Sequence, residues 1–254
     1  MSSNVPPLYT DTPLALIHTP KFETGKDDPF TMEASHMALS HNSFIRGFNT
    51  IYQQAPRLKP SDKTDFAGYC IAWADLVLTH HHYEETDFFP NVDKAAGQTG
   101  LMAGAVHEHE AFSTGLTRFK TYLVDKGADF DSDELISILD SFKDPLYDHL
   151  KSEPGQIVAL SKYNTKEHPI DILAIADAAG KKVVTIPFLF STLPVFFLNQ
   201  ETHEFEDGMW HGVFPPLGTV AKAVMNKAVP MWNSGRRWRF VSCDADGKAK
   251  RLAV

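Results

Sequence analysis

The sequence predicts an all-α protein, an up-down-up-down four-helix bundle followed by an irregular, partly helical extension. Three observations carry this reading. Apolar residues recur at helical spacing in four segments between residues 30 and 154. Short connections rich in Pro, Gly and Asp part those segments, as antiparallel neighbours require. The segments also repeat in pairs, with His-x-x-Phe-x-x-Gly on the first and third and His-x-x-x-Glu on the second and fourth.

Residues 1–29 are proline-rich and aperiodic and read as an extended arm. From Thr31 to about Gln54, Met37, Phe44, Ile45, Phe48 and Ile51 fall on a helical period, and "APRLKPSD" breaks it. A second helix takes Ser61 or Asp62 as its N-cap and runs through Phe66, Ile71, Trp73, Leu76 and Val77 to Phe89, with Pro90 ending it. The third covers about Thr99 to Val124 and closes at "DKGAD". The fourth opens at the capping signature "DSDE" and runs from Glu134 to near Lys151, where "EPG" halts or kinks it; Pro145 is expected to bend it. Beyond the bundle (30–154) the texture changes. "IDILAIADAAGKK" fits a fifth helix, and aromatic, proline-rich stretches follow: "FFLNQETHEFEDGMWHGVFPP" and "VPMWNSGRRWRF". Residues 155–254 therefore read as an extension packed on the bundle.

Composition narrows the function classes. A net charge of −8 and a pI near 5.8 argue against nucleic acid or an anionic membrane as partner. Two cysteines, Cys70 and Cys243, with no CxxC pair, fit a reducing compartment and no disulfide scaffold or thiolate zinc site. The longest apolar run, "VVTIPFLFSTLPVFFL" (183–198), holds two prolines and is short for a membrane span, so a buried element is expected. The start lacks a basic stretch followed by an apolar one, and a soluble cytoplasmic protein follows as the expectation. Nothing in the sequence sets the oligomeric state.

Chemistry concentrates in the repeat. Eight of the twelve histidines lie between positions 36 and 149. The first helix carries "HNSFIRGF" from His41 and the third "HEAFSTGL" from His109, while the second carries "HHHYE" from His80 to Glu84 and the fourth "HLKSE" from His149 to Glu153. The spacing from His41 to His80 is 39 residues and from His109 to His149 it is 40, which implies a pseudo-two-fold bundle. Residues four apart share a helix face, so each His-x-x-x-Glu can aim imidazole and carboxylate at one target. Two sets of two histidines and one glutamate facing each other describe a dinuclear metal site: His41, His80 and Glu84 with His109, His149 and Glu153. Nitrogen-rich ligation with carboxylates able to bridge suits two non-haem irons better than zinc.

These motifs, "HNSFIRG", "HHHYEETDFFP", "HEHEAF" and "DHLKSE", resemble those of hemerythrin-like, or HHE-domain, proteins over residues 31–154. The resemblance implies a four-helix bundle of hemerythrin type holding two irons, and it selects His80 and Glu84 as ligands. His81 with Glu85 is the same pattern shifted by one and stays open as an alternative register. One departure stands out. Oxygen-carrying hemerythrins place two histidines four apart on the third helix, whereas Ala105 stands four before His109 here. Unless His36, His107 or Glu108 substitutes, one imidazole fewer is expected. His36 lies about 140° around the helix from His41 and reads as a surface or supporting residue. His203, Glu206 and His211 read as a polar loop, Tyr83 and Tyr147 as core residues that could hydrogen-bond toward the site, and "GRRWRF" as a packed segment.

Three classes compete: a diiron oxygenase or oxidase using O2 on a small organic molecule, a binding protein for O2, nitric oxide or iron in storage or sensing, and a bundle with a vestigial site. The expected gap in the ligand set and an aromatic extension able to wall an apolar pocket favour the oxidoreductase.

Overall fold

A computed structural model describes residues 7–215 and 235–254, and among these every regular element is a helix. The first six residues of the arm, and residues 229–234 of the aromatic tail, lie outside the described residues. The helices are α1 (Pro20–Thr24), α2 (Pro29–Gln54), α3 (Lys63–Tyr83), α4 (Phe89–Ala96), α5 (Ala103–Lys126), α6 (Ser132–Ala159), α7 (Ile172–Val183), α8 (Ile186–Ser191) and α9 (Leu193–Phe197). The bundle is α2, α3, α5 and α6. No helix of the described residues is long and apolar enough to cross a membrane.

Local chemistry starts two of the four bundle helices sharply. The Asp28 carboxylate accepts from the N–H groups of Phe30 and Thr31 with Pro29 at the first helical position, and Asp131 accepts from Asp133 and Glu134. Asp62 holds the N-cap position of α3 but does not cap it: its carboxylate accepts from Lys59 N at 3.0 Å and Arg239 Nη2 at 2.7 Å.

Two helix ends differ from expectation. Pro90 does not end the second helix. A π-helical stretch, Glu84–Phe88, follows α3, and the Phe89 N–H reaches back to Glu84 O. This wider turn lets a new helix begin with Pro90 in its first turn, where a missing N–H costs nothing. Likewise "EPG" does not halt the fourth helix, which runs through Pro145 and Pro154 to Ala159. A mid-helix proline costs about 3 kcal/mol. Here the buried stripe of Leu146, Leu150, Pro154 and Ile157 offsets it.

One aromatic from each bundle helix meets in a closed layer. Phe48 touches Trp73 (centroids 5.9 Å), Trp73 touches Phe119 (5.6 Å), Phe119 touches Phe142 (6.3 Å), and Phe142 returns to Phe48 (6.4 Å). The repeat glycines make this layer possible. A Cβ on Gly47 would lie 2.4 Å from the Trp73 indole, and one on Gly115 2.6 Å from Phe142 Cβ.

The arm and the extension are stitched to the bundle. Asn49 pairs with Leu14 and Asn42 with Ile17, each amide satisfying both backbone groups. Val195, Leu198, Trp238 and Phe240 belong to the same apolar core as Phe48 and Trp73. Gln54 donates to Phe240 O at 2.8 Å, and Ser43 to Phe196 O at 2.9 Å. The 183–198 run is not uniformly buried as expected, since Ile186 is 76% and Val184 50% exposed. The expected polar loop contains a buried brace instead. Glu206 takes a left-handed backbone (φ 49°) and accepts from Thr19 N, Thr19 Oγ1 and Trp210 Nε1, tying the arm to the extension.

Candidate metal centre

All six residues picked from the repeat meet in the bundle interior, and a seventh joins them. Two groups form, His41 with His80, Glu84 and Glu153, and His81 with Glu84, His109 and His149. Within each group one donor atom from every residue lies within 4.8 Å of the others. Both glutamates lie between the halves. Glu84 turns one oxygen to His80 Nε2 (2.8 Å) and the other to His109 Nε2 (3.7 Å). Glu153 Oε2 is 3.2 Å from His41 Nε2 and 3.6 Å from His149 Nε2.

The pseudo-two-fold organisation is real at the level of side chains. Phe44 packs on His80 (4.8 Å) as Phe112 packs on His149 (5.5 Å), each phenylalanine three residues after the buried histidine of its helix, His41 or His109. It breaks at three positions. Where α6 has Leu150, α3 has His81; where α6 has Pro154, the π turn has Glu85; and where α5 has Glu108, α2 has Ser40.

The first break corrects the expected shortage of an imidazole. His81 turns into the cluster, its ring 4.5 Å from His109 and 5.0 Å from His149, so five imidazoles converge. Helical periodicity separates neighbours by about 100° and so assigned only one of His80 and His81 inward. Both fit because they approach different halves. The signal available in sequence was the adjacent His80-His81 pair itself. Glu85 does not replace Glu84 but accepts from His109 Nδ1 (2.7 Å), and Glu108 accepts from His149 Nδ1 (3.0 Å). His41 Nδ1 donates to Leu150 O (2.7 Å). His36 lies outside, stacked on Phe214 and 3.5 Å from Glu33, and His107 is on the surface with Glu110. Tyr83 stands 5.2 Å from His80, while Tyr147 packs against the main core.

The donor set fits metal cations. Nε2 of His41, His80, His109 and His149, both nitrogens of His81 and all four carboxylate oxygens of Glu84 and Glu153 are buried and make no hydrogen bond. So many orphaned polar atoms are costly unless something binds them. Burial, then the neighbouring histidines, holds His80 and His81 neutral, well below the usual imidazole range. His149 is pushed down to about 4, chiefly by burial. Burial and the facing Glu153 raise the Glu84 carboxyl, whereas for Glu153 burial is outweighed by His41 and the other imidazoles and its carboxyl is lowered. Neutral imidazoles are the ligand form, and a bound cation would supply the charge that lets Glu84 ionise beside Glu153.

A four-helix bundle with buried His/Glu donors at its centre defines a helical protein with a site able to hold metal cations. Residues 33–160 match the hemerythrin HHE cation binding domain, and the chain belongs to that family. It is also 29% identical over 223 residues to the "Dimeric xanthone biosynthesis cluster protein R11" of Cryptosporiopsis sp. (strain 8999), a match covering 86% of this chain and 81% of the relative. No solved structure matches the chain.

Proposed function

We propose that the protein is a non-haem diiron oxidoreductase of hemerythrin type that uses O2 to oxidise a small, apolar organic molecule. The observation that carries this reading is a cavity of about 180 Å³ beside the metal centre, lined by Phe44, Leu76, His80 and Tyr83 on the bundle and by Val183, Phe188 and Phe196 of the extension. A mainly apolar cavity of this kind, with few polar groups, is what a small-molecule site requires. A wider cavity of about 460 Å³ shares the lining residues Ser40 and Tyr83 with it. The relative's place in a biosynthesis cluster, where small molecules are made, points the same way.

His41, His80, His81, His109 and His149 would hold two irons with Glu84 and Glu153 shared between them, and iron so bound supplies the electrons for O2 reduction. The chain's own residues do the rest. Phe44 and Phe112 shield the imidazoles from water, Glu85 and Glu108 orient the rings of His109 and His149, and the extension seats the substrate against the His41–His80 half. That group joins two imidazoles to two carboxylates, against three imidazoles and one carboxylate in the other, and it is the one that borders the cavity.

A binding role for O2 or nitric oxide is the second reading, and a specific observation favours it: His81 brings the number of imidazoles to five, removing the shortage that set this chain apart from oxygen carriers. Metal analysis with O2 consumption separates the two. Iron near two per chain, with O2 consumed irreversibly when a reductant and an aromatic compound are present, supports the oxidoreductase. Absorption changes on O2 addition that reverse fully under vacuum, with no consumption, would overturn it in favour of the carrier.

A further inference from the structure

The geometry points to an aromatic compound bearing a hydroxyl or carbonyl oxygen as the ligand of the 180 Å³ cavity, with that oxygen accepting a hydrogen bond from His80 Nδ1. This rests on the oxidoreductase reading for its consequence but not for its evidence.

Three of the converging histidines have an outer acceptor on Nδ1: Leu150 O for His41, Glu85 for His109 and Glu108 for His149. A metal-binding imidazole that uses Nε2 normally donates its other N–H in this way. Of the other two, His81 has both nitrogens buried inside the cluster, whereas His80 aims Nε2 at Glu84 and lines the cavity. Among the described residues no hydrogen bond is made by His80 Nδ1, which is not among the buried orphaned atoms. Pseudo-symmetry says where one would stand. The carboxylate holding His149 belongs to Glu108, directly before His109, and the matching residue directly before His41 is Ser40. Ser40 is too short to do the same, its hydroxyl bonds His36 O, and it lines the cavity together with His80. The space that a glutamate side chain fills in one half is open in the other.

Size and lining select the ligand. A dry apolar cavity of about 150 Å³ holds benzene, so about 180 Å³ holds one aromatic ring with a small substituent. Phe44, Phe188 and Phe196 offer ring faces and edges to it, and Leu76, Val183 and Leu193 complete the apolar wall. The polar lining beside His80 is Ser40, Thr79 and Tyr83, so an oxygen on the ring is best placed toward that side.

The test measures binding of 4-methylphenol and of toluene to the iron-loaded protein by calorimetry under anaerobic conditions, so that no turnover enters. The phenol is expected to bind at least about fivefold more tightly, the worth of one hydrogen bond. Ser40→Glu supplies His80 with the missing acceptor and fills the cavity, and it should abolish phenol binding while iron content stays unchanged. Should that variant fail to fold, Leu193→Trp fills the cavity from the extension and should do the same. Equal binding of toluene and the phenol, undiminished phenol binding in the filled variants, or no binding of either to the unaltered protein would each overturn the proposal. Phenol binding without oxidation once O2 is admitted would leave this inference standing and sink the oxidoreductase reading alone.

Discussion

Adding one methyl group at Gly47 or Gly115 tests whether the repeated His-x-x-Phe-x-x-Gly stretch is a packing device for the metal centre. An alanine Cβ at Gly47 would sit 2.4 Å from Trp73 Cδ1 and 2.7 Å from Nε1. Carbon atoms pack at about 3.5–4.0 Å, so the indole must retreat by roughly 1 Å. That movement stretches the bond from Trp73 Nε1 to Phe44 O, now 3.0 Å, and Phe44 is the ring that covers His80. Overpacking costs about 1–3 kcal/mol and the strained hydrogen bond about 1, while alanine's better helix propensity returns about 1. The net is about 1–3 kcal/mol, or roughly 3–10 °C in Tm for a chain of this size. Gly115→Ala should cost at least as much, because it meets Phe142 at Cβ, an atom that no side-chain rotation can move. Gly155, also helical but with nothing near its would-be Cβ, is the control, and Gly155→Ala should be neutral or slightly stabilising. Thermal unfolding followed by far-UV circular dichroism reads all three. If Gly47→Ala and Gly115→Ala melt with the unaltered protein, the close-packing argument is wrong.

Other outcomes follow from the same contacts. Glu84→Ala, which empties both halves of a carboxylate, should lose most of the iron, whereas Glu85→Ala should retain it with about 10–100-fold weaker affinity, as metal titration would show. His81→Ala should lower iron toward one per chain, and a variant that keeps two would remove His81 from the ligand set. Asp131→Ala removes the cap of α6 and should cost about 1 kcal/mol in chemical denaturation with unchanged iron content. A chain ending at residue 164 should fail to give a folded bundle, because Val195, Leu198, Trp238 and Phe240 complete the core; soluble, metal-loaded protein from that truncation would contradict this.

Where sequence reasoning reached furthest, a single period governed the residues. His41, His80, Glu84, His109, His149 and Glu153 were legible because spacing four and a matched repeat put them on common faces, and the structure brings them together. The four bundle helices were legible for the same reason. What escaped was set by tertiary packing. The π turn at Glu84–Phe88 carries the chain past a proline that reads locally as a stop, and the stripe from Leu146 to Ile157 holds α6 together across Pro145 and Pro154. His81 was legible only as an alternative to His80, because a helix wheel allows one inward neighbour, whereas a site with two halves has room for both. Glu206 was hidden because its partners, Thr19 and Trp210, include one far away in sequence.

The departures from symmetry all act in one direction. In the half built on His109 and His149, His81 adds a third imidazole, and Glu85 and Glu108 hold the rings from outside. The half built on His41 and His80 gathers both glutamates but no third imidazole and no outer carboxylate: Leu150 faces it as a backbone carbonyl acceptor for His41, and Ser40 leaves His80 bordering a cavity. A bundle that needed metal only for stability would gain by closing both halves alike, since every orphaned polar atom in the interior is a cost. The chain instead commits the extension, with Val183, Phe188, Leu193 and Phe196, to covering the open half with apolar groups rather than with a ligand. A wall of that kind sets apolar groups over this side of the site while leaving a ring-sized space beside His80. It is this pairing of one closed half with one half opened onto an apolar chamber that makes chemistry on a bound molecule the stronger reading than passive storage of a cation.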